Sequence, residues 1–160
     1  MSDVPDLQHL IPGGMPDPAR VCELEDAVLL GLPQVSIETT HVVHGGMCAR
    51  TIFIPAGTVL TGALTNCDNV CVVCGDITVT TDDGPQRLTG YHVLPAQAGA
   101  KRIGLTHSDT WWTTVWPTAL ADIEAIEDEF TSESQRLATR RTGVEYAEPN
   151  QLKGISACPQ

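Results

Sequence analysis

Aromatic side chains are scarce in this 160-residue chain: three Trp, two Tyr and two Phe make up 4% of it. Its core must therefore rest on aliphatic side chains, and each Trp becomes a residue whose placement matters. Positive charge is also sparse, with nine Lys and Arg against 20 Asp and Glu and a formal net charge of -11. Neutralising phosphates takes clustered Lys and Arg, so nucleic acid is not expected as a direct partner. No apolar run approaches the roughly 18 residues of a membrane helix, and the start, MSDVPDLQHLIPGG, lacks the basic and apolar parts of a signal peptide. The length suits one domain with attached segments. These absences predict a soluble chain that meets no membrane and is not exported by the usual route.

What charge there is sits at the ends. Residues 1–40 carry seven acids and one base, residues 41–118 five acids and four bases, and residues 119–160 eight acids and four bases. The middle is nearly neutral and the flanks are acidic. Such flanks are either simply solvated or are arms that dock on basic partner surfaces.

The flanks differ in kind. Residues 1–34 contain Pro5, Pro12, Pro16, Pro18 and Pro33 with Gly13, Gly14 and Gly31, which predicts an extended arm in which only Val21 to Leu30 can form a short helix. Beyond Pro117 the apolar period becomes helical through Leu120, Ile123, Ile126 and Phe130. Thr118 is placed to cap that helix, with Asp122 in its first turn. Ser132 and Gln135 can restart a second helical stretch to about Arg141, and the tail after Gly143 has no period.

Residues 35–118 form a β domain by their Thr, Val and Ile runs broken at Gly, Pro and Asp. Strands are expected near 35–44, 49–54, 58–64, 69–73, 76–81, 86–88, 92–94, 102–106 and 110–116. Thr81 to Pro85 reads as a hairpin turn with Gly84 at positive φ, and Pro55-Ala56-Gly57 as a tight corner. The sum is an all-β jelly roll or barrel with an extended N-terminal arm and a C-terminal helical segment.

A resemblance emerges at Ile54-Pro55-Ala56-Gly57-Thr58-Val59-Leu60-Thr61-Gly62, the turn Cys74-Gly75-Asp76-Ile77, the stretch Pro95 to Gly99, and the closing Trp112 to Thr118. Over residues 41–118 the chain resembles the cupin superfamily, and more narrowly cupin-like proteins encoded by tailed bacteriophages and prophages. Arg50, Phe53, Pro55, Ala56, Gly57, Thr61, Gly62, Lys101 and Arg102 sit where the narrower pattern puts them. The resemblance implies a cupin-like roll. In cupin enzymes three His and one Glu hold a divalent metal inside it. Traced onto this chain, those places fall near Ala63, Thr65, Asp68 or Asn69, and Arg102, none of which but Asp68 offers a suitable ligand. No metal, other cofactor or catalytic residue is therefore expected.

Other candidate ligands are dispersed. His41 and His44, three apart on a strand, point to opposite faces. His92 or His107 could serve as an acid or base, but neither has an evident carboxylate or nucleophile as partner. Cys67, Cys71 and Cys74 cluster, with Cys71 and Cys74 on opposite strand faces; zinc, a disulfide and buried apolar filler are the readings left open.

Five residues stand out as interface candidates. Trp112 and Trp116 share one strand face and Trp111 takes the other, so one face can enter the core while the other anchors a subunit contact. Lys101 and Arg102 are the adjacent basic pair of the β domain and could receive the acidic arm of a neighbouring subunit. Together with the resemblance, these features predict a non-enzymatic virion structural protein of a tailed phage, made in the host cytoplasm. The first choice is a head decoration (cement) protein that associates with itself, as a trimer, and with the major capsid protein. The alternatives are a tail or head-to-tail component, an assembly factor absent from the mature particle, and a cupin-type metalloenzyme or small-molecule binder. If the arms bridge subunits, losing residues 1–34 should weaken assembly and leave the β domain folded.

Overall fold

A computed structural model describes residues 13–147. Seven strands form one curled antiparallel sheet: β1 (Glu38–His44), β2 (Met47–Ile54), β3 (Val59–Thr61), β4 (Asn69–Thr81), β5 (Gly84–Ala96), β6 (Ile103–Thr106) and β7 (Thr110–Pro117). Hydrogen bonding runs in the order β1-β2-β7-β4-β6-β3, with β5 on the other edge of β4. The fold is mostly β, a single sheet rolled into a half-barrel. Gly84 and Gly57 take positive φ at the two expected turns, as their lack of a Cβ allows.

Seven strands replace the nine expected because the glycine turns at 75 and 90 lie within long strands. Gly75 pairs with Gly90 in the middle of the β4-β5 ladder. At this point β4 also changes partner: Val70 to Cys74 pair with β7, whereas Ile77 to Val79 pair with β6. Gly75 has φ +149°, and a Cβ there would lie 2.7 Å from the Thr110 Cα and 2.8 Å from the Asp109 carbonyl oxygen. The glycine thus lets β7 approach β4 closely and lets the sheet curl; it does not end a strand.

Alternation sorts the side chains by face. Ile54, Val73, Ile77, Val79 and Leu88 form the buried centre, with Ile52, Leu60 and Trp112 packed against it. A second cluster lies on the outer side of β3 and β6, where Ile103, Leu105 and Val59 meet Val21 and Leu24. These last two belong to helix α1 (Pro18–Gly31).

Helix α1 contains Val21 to Leu30, the one stretch expected to form a short helix, but begins earlier and packs on the β domain, so Pro18–Gly31 is not part of an extended arm. Pro18 stands at the helix start, where its missing N–H costs nothing, and the Asp17 carboxylate accepts from the Ala19 N–H at 3.0 Å. Pro16 precedes the helix, Pro18 begins it and Pro33 follows its 14 residues, so none interrupts it. At the other end, helix α2 (Ile123–Phe130) is capped by Asp122 and not by Thr118, whose hydroxyl accepts from Leu120 instead. The second helical stretch is only a 3-10 turn, Ser134–Arg136. Helix α2 lies across one mouth of the roll, packing Ile126 and Phe130 on Cys48 and Trp116. Of the tail expected to be irregular after Gly143, Tyr146 forms an isolated parallel bridge with Gln34, while residues 148–160, like residues 1–12 of the arm, lie outside the described residues. Among the described residues no helix is long and apolar enough to cross a membrane.

Candidate functional site

The rolled sheet leaves an interior cavity of about 110 Å³, several times the space one water needs. Its walls are mainly apolar, among them Ile52, Leu60, Ile77, Trp112 and Phe130, but Arg50 and Arg102 both reach it. Arg50 lies on β2 in the inward row His41–Arg50–Thr114–Cys71–Leu94, which crosses five strands. Arg102 enters just before β6 and donates from Nη1 to the Thr80 carbonyl oxygen at 2.8 Å.

Ala63, Thr65, Asn69 and Arg102, near which the resemblance traced the metal-ligand positions, all line this cavity. Asp68 does not; its carboxylate accepts from the Ala98 N–H at 2.9 Å on an exposed loop. The donor set is thus a methyl, a hydroxyl, an amide and a guanidinium, with a second guanidinium nearby. Such a set repels a divalent cation and suits an anion. The residues present do not fit a cupin metal. Among all described residues, no group of three or more His, Cys, Asp and Glu is placed to hold one.

Beside the cavity, α2 brings Glu127 under the sheet. This buried carboxylate accepts from Arg140 Nε at 2.8 Å and Thr139 Oγ1 at 3.0 Å, and lies 3.1 Å from His41 Nε2. Arg50 Nε stays 3.8 Å away and has no hydrogen-bond partner among the described residues. Burial lowers the pKa of the Arg50 guanidinium against the opposing pull of Glu127. It lowers the His41 imidazole too, again outweighing Glu127.

The basic pair divides. Lys101 is fully buried, with its ammonium 2.9 Å from Glu25 of α1 and 2.7 Å from Glu133. Both acidic flanks thus dock on the β domain of their own chain, so Lys101 is not the exposed receiver of a neighbour's arm that the sequence suggested. Arg136 reinforces the contact, 3.0 Å from Glu25 and 2.9 Å from Asp26.

The tryptophans separate as alternation requires. Trp116 is 1% exposed and stacks on Phe130 at 3.9 Å between ring centroids, so it is covered within the chain and does not serve as an interface residue. Trp112 faces the cavity. Trp111 is 49% exposed and leans on Phe53 on the outer side.

Trp111 belongs to a larger surface that the sequence did not reveal. Outward rows across β1, β2, β7, β4 and β5 read Glu38–Phe53–Trp111–Cys74–Tyr91, Thr40–Thr51–Thr113–Val72–Val93 and Val42–Ala49–Val115–Val70–Pro95. Glu38 is the one charged member. Val42, Val70, Tyr91, Val93 and Trp111 are all exposed. Helix α1 covers the outer side of β3 and β6, while this broader face carries no element of the described chain.

The remaining candidates lie apart. His107 Nε2 is 2.7 Å from Thr78 Oγ1 and His92 Nε2 is 2.9 Å from the Thr89 carbonyl. The structure does bring Asp76 near His107, but Arg87 grips that carboxylate through two hydrogen bonds and lowers its pKa. Cys71 is buried in the inward row, Cys74 is exposed on the outward one and Cys67 is partly buried, all as free thiols. The filler reading therefore fits Cys71 and fails for Cys74.

No family model matches the chain, and no curated protein does. Solved structures of similar shape do exist. A cupin superfamily protein from Desulfitobacterium hafniense is 12% identical, matching 51% of this chain and 77% of its own with a TM-score of 0.43. A putative ethanolamine utilization protein from Salmonella typhimurium is 17% identical over 51% and 70% of the two chains, with a TM-score of 0.42. A cupin-2 domain-containing protein from Shewanella frigidimarina is 12% identical over 59% and 91%, with a TM-score of 0.40. At such identities and TM-scores the likeness carries neither a family nor an activity to this chain.

Proposed function

We propose that this chain is a non-enzymatic assembly protein that associates through the outer face of β1, β2, β7, β4 and β5. The observation that supports this reading is the chemistry of that face: three five-strand rows hold a single charged residue, Glu38, in a chain of net charge -11. At strand spacings of about 4.8 Å the rows span on the order of 400 Å², and eleven of their fifteen residues are neither charged nor Thr. Copies of so acidic a chain repel one another over most of their surface. The neutral face is where two can meet without that cost, and Trp111 and Tyr91 supply aromatic anchors.

The resemblance to cupin-like phage proteins supports the finer form of the proposal. In it the chain is a virion component of a tailed phage, first a head decoration protein that contacts the major capsid protein and its own copies, second a tail or head-to-tail part. Light scattering on the full chain tests the association, with an oligomer expected for the wild type and a folded monomer for Trp111→Glu. A wild type that stays monomeric overturns it. Mass spectrometry of purified particles of the encoding phage tests the location, and absence of this chain's peptides overturns the virion role.

A further inference from the structure

We propose that the interior cavity, in place of a metal, binds a small organic carboxylate whose charged end lies between Arg50 and Arg102 and whose apolar body packs against Trp112, Leu60 and Phe130. The first support is charge. Arg50 and Arg102 line the cavity, and among the described residues no Asp or Glu does. Glu127, whose Oε1 lies 3.8 Å from Arg50 Nε, balances part of the Arg50 charge from outside the cavity but makes its hydrogen bonds with Arg140, Thr139 and His41.

The second support is an unmet hydrogen bond. Arg50 Nε is buried with no partner among the described residues, although guanidinium N–H groups seldom go unpaired away from water. Only an acceptor can meet it, because Arg has no lone pair to offer a donor. Burial disfavours the guanidinium charge at Arg50, and an anion entering the cavity compensates it, as buried charges require. Planar carboxylates match guanidinium geometry and accept two N–H bonds at once.

The third support is the remaining lining. Ile52, Leu60, Ile77, Trp112 and Phe130 offer nothing to a fully hydrated inorganic ion, but they suit a hydrocarbon or aromatic body. Thr65, Ala100 and Arg102 on the cavity wall are only partly buried, which gives a ligand a way in. The proposal is independent of the assembly role, since it concerns the opposite side of the same sheet.

The test titrates the full chain with sodium acetate, hexanoate and benzoate, with neutral benzamide and inorganic phosphate for comparison. Thermal stability and the indole N–H resonances of Trp112 and Trp111 are followed. Saturable binding of at least one carboxylate is expected, moving the Trp112 signal and leaving that of Trp111 on the outer face. Benzamide and phosphate should bind roughly tenfold more weakly or worse, and Arg102→Gln should weaken carboxylate binding by about the same factor. Binding of none of the three carboxylates, or of benzamide or phosphate as tightly as the best of them, overturns the proposal. So does unchanged binding in a folded Arg102→Gln protein; should that variant not fold, the wild-type comparison decides alone.

Discussion

The ammonium of Lys101 and the carboxylate of Glu25 meet 2.9 Å apart at a site where both side chains are almost wholly removed from water. Through this contact the acidic N-terminal segment becomes part of the fold. Glu25 also accepts from Thr61 and Arg136, and Glu133 completes the cluster on the other side of Lys101. Replacing Lys101 by Met leaves two carboxylates facing each other without their shared cation. Breaking a buried pair in this way costs about 3–5 kcal/mol, so urea denaturation of Lys101→Met should show a loss of that order. Deletion of residues 1–34 should destabilise the β domain as well, because it uncovers Ile103 and Leu105 and removes Glu25. A truncated chain as stable as the full one refutes this account of the arm.

Gly75 and Gly90 face each other across the β4-β5 ladder, yet alanine should affect them very differently. At Gly75 the new methyl would collide with Thr110, 2.3 Å from its Oγ1 and 2.7 Å from its Cα, forcing β7 away from β4. Overpacking of this kind costs roughly 1–3 kcal/mol before backbone strain is added. At Gly90, with φ +85°, a Cβ meets nothing within 4 Å, so only the left-handed backbone penalty of about 1–2 kcal/mol applies. Denaturation midpoints of the two variants should rank in that order.

How much of this was legible beforehand follows from which forces act locally. Alternation put Cys71 and Cys74, and Trp111 and Trp112, on opposite faces correctly, since the two-residue period belongs to any strand. The same local reasoning cut β4 and β5 at their glycines, because whether a glycine bends a strand or ends it depends on the approach of β7, set by distant sequence. It left Lys101 exposed for a similar reason: nothing near position 101 shows that Glu25 and Glu133 converge there. The residue types at the traced ligand positions were visible from the motif, but Arg50 entered only as a matching residue of the phage-like pattern. Its place beside Arg102 depends on the register of β2, and the neutral outer face depends on five strands aligned at once.

Acid should weaken the fold in two steps. Burial lowers the His41 imidazole despite Glu127, and Arg50 nearby lowers it further. For Glu133 burial would raise the carboxyl, but hydrogen bonds from Lys101 and Cys22 outweigh it and hold it below its usual range. In both cases the folded value lies below the unfolded one, so the unfolded chain binds more protons in the interval between them. Stability contributed by these groups is present above the unfolded values and is lost as pH falls, first below about 6.5 for His41 and then below about 4.3 for Glu133. Urea midpoints measured between pH values of about 8 and about 4 should show both declines. His41→Gln should abolish the upper one and keep the lower.

The two sides of β4 give the outer-face proposal an independent check through their thiols. Cys74 is exposed in the same outward row as Trp111 and Tyr91, whereas Cys71 and Cys48 are buried, and burial raises the pKa of both buried thiols. Thiolate is the reactive form, so a brief pulse of iodoacetamide should alkylate Cys74 well before Cys71 or Cys48, as read by peptide mass spectrometry. If copies associate through this face, raising the protein concentration into the range where oligomers form should slow Cys74 while leaving the slow reactions of Cys71 and Cys48 unchanged. A Cys74 rate that does not respond to oligomer formation means that the contact lies elsewhere on the molecule. Slowing that disappears in Trp111→Glu ties the protection to the neutral rows themselves, because Trp111 and Cys74 are direct neighbours across β7 and β4.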